Sequence, residues 1–227
     1  MFRGLERCLD GGWPAFAKVA VGMIVAWWLY VPVHELLHAL GCVATGGTVT
    51  RLEIAPMYGG HLFAAIFPFV HPASEYAGRL SGFSTGGSDF VYLATDLAPF
   101  LLTLFPGLWW LRREGRRGDA FRYGASLPVA LAPLTSVTGD AYEIGSILAT
   151  RLSPFAASAG LLRGDDLIKK VDELRAAAAS ATQWGGLALG VVLALAWVVG
   201  MLGLSGWLAG LAGERPLPPR PRLNLPG

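Results

Sequence analysis

Charge is scarce in this chain. Of its 227 residues only 15% are Asp, Glu, Lys or Arg, while 53% are hydrophobic; a soluble globular chain carries about 25% charged residues. A mean hydropathy of +0.49 points the same way, because so few polar groups cannot cover a water-facing surface of this size. The shortage excludes a cytosolic enzyme, a secreted disulfide scaffold and a disordered tail protein, and it leaves the bilayer as the expected solvent. An excess of one sign is missing as well. Eighteen Lys and Arg against 16 Asp and Glu give a net charge of +2, too little for a nucleic-acid binder that works by neutralising phosphates. Cysteine is limited to Cys8 and Cys42, so neither a disulfide framework nor a cysteine zinc cluster is available.

What the chain has in quantity is long apolar runs. Residues 19–44, 90–111, 124–149 and 184–212 each reach the roughly 20 residues of helix that a hydrocarbon core requires. The first run is too long for a signal-peptide core and lacks a small-residue cleavage site, so it is expected to stay in the mature protein. Residues 54–70 form a shorter apolar stretch broken by Pro56, Gly59, Gly60, His61 and Pro68. Non-helical backbone at membrane depth survives only when buried in protein or lining a cavity. The expected fold is therefore an all-α polytopic membrane protein, multi-pass, with four transmembrane helices, or five if 54–70 also crosses, and a re-entrant or β-hairpin segment over 48–70. The most fitting location is a bacterial-type cell membrane.

Finer organisation follows from local pattern. Thr48-Val49-Thr50-Arg51-Leu52-Glu53-Ile54 alternates like a short strand, and the Gly/Ser-rich residues 81–88 read as a flexible loop. Residues 1–18 form an N-terminal flank and 19–150 a membrane core. Residues 151–183 form a loop containing an amphipathic helix over 163–175, with Leu167, Val171 and Leu174 at helical spacing and Asp165 as N-cap. A last transmembrane helix lies within 184–212, and the five prolines of 214–227 predict an extended tail over 213–227. The turn 112–122 carries Arg112, Arg113, Arg116, Arg117 and Arg122 against Glu114 and Asp119, which the positive-inside rule assigns to the cytoplasm. With four crossings the His34 end of the first helix then faces outward, and with five it faces the cytoplasm.

His34-Glu35-Leu36-Leu37-His38 is an HExxH motif inside the first apolar run. At about 100° per residue, two histidines four apart are separated by roughly 40° around the helix axis, so both imidazoles can share one Zn²⁺. Glu35 is offset by one residue, where a carboxylate can act as general base without being a ligand. With four histidines in the chain, chance produces such a motif about 0.002 times on composition alone, and burying three ionisable groups in a membrane helix is costly. A hydrolytic zinc site needs a third protein ligand. The ionisable candidates within apolar runs are Asp96, Asp140 and Glu143, of which Asp140 is preferred. Glu143 suits an orienting role one turn further on. His61 and His71 are the remaining histidines, with His61 open as an alternative ligand or supporting group.

The HExxH followed by Ala39-Leu40, then Gly46-Gly47, a β-like stretch and Pro56-Met57-Tyr58-Gly59-Gly60-His61 resembles the core of the site-2 protease family of intramembrane zinc metallopeptidases. The similarity covers residues 20–70 and, more loosely, 125–150. It implies His34 and His38 as zinc ligands, Glu35 as catalytic base and Asp140 as third ligand, with a membrane-associated hairpin helping to hold an unfolded substrate segment. The chain departs from the family at Thr138-Gly139-Asp140-Ala141, where an Asn-Pro pair usually precedes Asp-Gly. The expected activity is zinc-dependent hydrolysis of a peptide bond in or near a transmembrane segment. Membrane-protein or peptide substrates and the lipid bilayer are then the partners, with no nucleic acid. The alternative is a non-catalytic membrane protein that uses the same metal site to bind a partner or handle metal.

Overall fold

The computed structural model describes residues 2–73 and 75–213. Most of them are helical, in the order α1 (Phe2–Leu9), α2 (Trp13–Ala44), β1 (Thr48–Ile54), α3 (Gly60–Ile66), β2 (Val70–His71), β3 (Gly78–Ser84), α4 (Asp89–Leu97), α5 (Leu108–Arg117), α6 (Ala120–Thr135), α7 (Asp140–Ala149), α8 (Ala159–Leu162), α9 (Leu167–Ala176) and α10 (Ala181–Leu211). Three helical segments are long and apolar enough to cross a membrane: Trp13–Ala44, Asp89–Arg117 and Ala181–Leu211. They contain the expected runs 19–44 and 90–111 and all but the last residue of 184–212.

The run 124–149 is different. It divides into α6 and α7 around a turn at Ser136 to Gly139, where the amides of Gly139 and Ala141 both donate to the Ser136 carbonyl. Pro133 supplies no amide hydrogen. The Thr135 hydroxyl turns back to the Ala132 carbonyl at 3.0 Å, a side-chain bond of the kind that competes with regular helix. The middle segment, Asp89–Arg117, is also irregular. Beyond α4 it passes through a 3₁₀ turn and a wider turn in which Phe105, ahead of Pro106, takes extended dihedrals (φ −155, ψ 129), as a residue before proline prefers.

The chain is not all-α. A three-stranded sheet in the order β2-β1-β3 follows α2. β1 runs parallel to β2, with Leu52 opposite Val70, and antiparallel to β3, with Ile54 opposite Gly78 and Thr48 opposite Ser84. β1 falls on the stretch whose alternation predicts a strand, but no hairpin closes within 48–70, where α3 separates β1 from the parallel β2. The antiparallel partner of β1 lies in 78–84, so half of the expected loop 81–88 is strand. Leu80 supplies the reason, since it packs against the sheet core of Leu52, Ile54 and Val70 together with Leu36 of α2. The amphipathic helix forms as α9, with Leu167, Val171 and Leu174 packed beside Tyr142, Leu162 and Leu187, but its cap is Asp166 rather than Asp165, accepting from the Lys169 amide at 2.9 Å. The proline-rich tail lies outside the described residues.

α2 and α6 run parallel and in close contact. Val19 packs with Ala120 and Tyr123 at one level, and Tyr30 with Ala132 and Ile144 at the next. The approach depends on glycine: a Cβ on Gly22 would strike the Phe121 backbone, and one on Gly124 the Val19 backbone. Because the two helices advance together, the start of α7 arrives at the level of the HExxH motif.

Candidate metal centre

His34 and His38 stand one turn apart on α2, and Asp140 is the first residue of α7. The helix break at Ser136 to Gly139 therefore has a consequence for chemistry. It places the Asp140 carboxylate at a helix N-terminus, where the free amides and the helix dipole favour an anion. His34 Nε2 lies 3.0 Å from Asp140 Oδ2, His38 Nε2 lies 3.6 Å from Asp140 Oδ1, and the two Nε2 atoms are 3.1 Å apart. Ligand atoms around a tetrahedral ion with bonds of about 2.0–2.1 Å are separated by about 3.3 Å, so the three observed distances bracket that spacing. Among the described residues, this is the one group of three such side chains close enough to hold a metal ion.

The outer face of each imidazole is already engaged. His34 Nδ1 pairs with the Tyr30 hydroxyl at 2.9 Å, and His38 Nδ1 with the Thr95 carbonyl at 2.9 Å. The carbonyl can only accept, so His38 carries its proton on Nδ1 and presents a lone pair at Nε2. A ligating histidine commonly donates its other N–H in this way. The donor set of two imidazole nitrogens and one carboxylate fits a divalent transition ion. The side chains are 13%, 8% and 19% exposed, which leaves the centre shielded yet reachable.

Glu35 points to the neighbouring cavity of about 60 Å³, which His38, Asp96, Asp140 and Glu143 also line. β3 closes one side of it, with Gly78 so near that a Cβ there would overlap the Glu35 side chain. Asp96 (3% exposed) and Glu143 (8% exposed) face this cavity but stand outside the ligand group. Glu143 Oε1 accepts from the Tyr92 hydroxyl, whereas Asp96 Oδ2 is buried without a hydrogen-bond partner. His61 is exposed on α3 and His71 lies on β2 opposite Glu53, and neither belongs to the ligand group. Comparison with family models, characterised proteins and solved structures returned no match.

Several residues of the site carry no motif. Tyr30 was recoverable in principle, since it precedes His34 by one helical turn. The Thr95 carbonyl, Tyr92, Gly78, Arg79 and Asp165 were not, because they reach the cavity only through tertiary packing.

Proposed function

We propose that this chain is a membrane-embedded metallopeptidase of the site-2 protease kind, which hydrolyses a peptide bond in or near a transmembrane segment of a protein substrate. The observation that carries the reading is the convergence of two imidazole Nε2 atoms and the Asp140 carboxylate beside a cavity that His38, Asp140 and Glu35 line together. We further infer that α6 and α7 together make a fourth crossing beside the three long apolar segments.

Zn²⁺ suits this donor set, and when bound it supplies a Lewis acid that polarises the scissile carbonyl and makes water more acidic. The residues of the chain do the rest. His34, His38 and Asp140 hold the ion, with Tyr30 and the Thr95 carbonyl keeping the imidazoles turned toward it. Glu35 takes a proton from the attacking water on its carboxylate and returns it to the departing amide nitrogen. A substrate helix must unwind before its carbonyl can be attacked, because its amides are bonded internally. β3 is an edge strand whose Gly78 abuts Glu35, so a substrate segment pairing along it lies beside the base.

The test compares purified wild type with Glu35→Gln. The variant is expected to keep a full metal equivalent and to lose cleavage by at least about 10³-fold, on the scale of other residues essential to a hydrolytic step. Equal turnover in the two proteins would refute the proteolytic reading and leave a metal-binding membrane protein with a role in partner binding or metal handling.

A further inference from the structure

The cavity beside the metal centre is lined by five carboxylates, those of Glu35, Asp96, Asp140, Glu143 and Asp165, and by one arginine, Arg79. Their compensation is uneven. Asp140 faces the ligand histidines, Asp165 pairs with Arg79 at 3.5 Å, and Glu143 accepts from Tyr92. A divalent ion and Arg79 together offset three of the five charges. Asp96 is left as a buried side chain on α4 with one carboxylate oxygen that touches no donor, and an unpaired buried polar atom is expensive unless something completes it. In a membrane-embedded position the cost is higher still.

We propose that Asp96, with Glu143 beside it, forms a subsite for the ammonium group of a substrate lysine next to the bond that is cut. This rests on the peptidase reading above and specifies its substrate. Size supports the assignment: a cavity of about 60 Å³ exceeds the ~10–15 Å³ needed for one water, so it takes an ammonium with a water or two but not an aromatic ring. The walls support it as well. Leu80 and Phe83 of β3 line this cavity and also the wider one of about 240 Å³ that adjoins it. They offer an apolar track for the four methylenes of a lysine whose charged head reaches the carboxylates. The outer cavity carries both signs, Arg163, Lys169 and Lys170 beside Asp165 and Asp166, and Arg163 and Lys170 are paired with Asp89 and Glu173, so its mouth admits a cation while the carboxylate-rich inner cavity attracts it. Because Glu35 and Asp140 share the inner cavity with Asp96, the lysine sits within about two residues of the scissile bond, given a rise of about 3.3 Å per extended residue.

The experiment measures binding first. Metal-loaded Glu35→Gln protein is titrated with apolar peptides carrying a single lysine at successive positions, each matched by a norleucine peptide of the same shape. At one position lysine is expected to bind at least about ten-fold tighter, which is about 1.4 kcal/mol. Asp96→Asn in the same background should abolish that preference while keeping the metal, and Asp96→Glu should retain part of it. Glu143→Gln, which should reduce the preference less, provides a second variant if Asp96→Asn folds poorly. Lysine peptides that bind no tighter at any position, or equally well to Asp96→Asn, would overturn the subsite. A second metal equivalent in wild type that disappears in Asp96→Asn would overturn it too, by showing an inorganic cation in the cavity. Cleavage is scored separately with intact Glu35: failure to cut any peptide counts against the peptidase reading, while the subsite is judged on binding.

Discussion

At the scale of single residues, each histidine is fixed by a second hydrogen bond on the side of the ring away from the ligand group. Tyr30 holds His34 by one oxygen at 2.9 Å, and Phe100 meets the same imidazole edge-on with ring centroids 6.0 Å apart. Removing only the hydroxyl separates these two supports. Tyr30→Phe is expected to weaken metal binding by about 10-fold, the lower end of what loss of an orienting partner does elsewhere, as read by competition with a chelator. Unchanged affinity would show that packing against Phe100 alone orients the ring. The HExxH spacing and the rarity of ionisable groups in apolar runs made His34, Glu35, His38, Asp96, Asp140 and Glu143 legible in advance. Asp140 was preferred there as third ligand, but the cavity shared by Asp96 and Glu143 was not legible, because only tertiary packing brings their carboxylates to it.

At the scale of elements, the sheet that follows α2 sets the outer wall of the site. Leu36, inside the motif itself, packs into the sheet core with Leu52, Ile54 and Val70, which ties the sheet to the turn of α2 that carries Glu35. Gly78 is the point of closest approach, and any side chain there displaces Glu35. Gly78→Val is expected to leave metal content intact while lowering turnover by about 100-fold, the cost of misplacing a catalytic group by about 1 Å. Loss of metal alongside activity would mean that the substitution disturbs α2 as a whole. β1 was visible in the alternation of residues 48–54 because one face is buried, with Leu52 and Ile54 fully covered. β3 was not, because its glycines and serines match loop composition and its partner is sequence-distant. The break in 124–149 was similarly hidden, since hydropathy is blind to a turn made from Ser136 to Gly139.

At the scale of the whole molecule, the two ends of the bundle differ. α1 packs on α5, where Arg7 donates to the Arg116 carbonyl at 3.1 Å, and Arg112 reaches the Gly206 carbonyl near the end of α10 at 2.7 Å. The sheet, α8 and α9 gather instead around the metal-site level of α2, about 30 Å from Trp13 at 1.5 Å per residue. Arg122→Cys and Lys169→Cys, each placed in a Cys42→Ala background, should therefore react with a membrane-impermeant maleimide from opposite faces, Arg122→Cys from the cytoplasm under the positive-inside rule. Cys8 should stay silent. It is 2% exposed, and burial, followed by the nearby Asp119 charge, pushes its thiol up to about 11, so at pH 7 only about one in 10⁴ is thiolate. Labelling of both sites from one face would contradict an odd number of crossings between them and the separation of the two ends. The sequence by itself marked out three helices long and apolar enough to cross a membrane and the motif residues, because these follow from composition and from the period of a single helix. Only the tertiary structure decided that a broken helix delivers Asp140 to the two imidazoles, that an edge strand borders Glu35 and that Asp96 lacks a partner. Those are contacts between residues distant in the chain, and no local pattern records them.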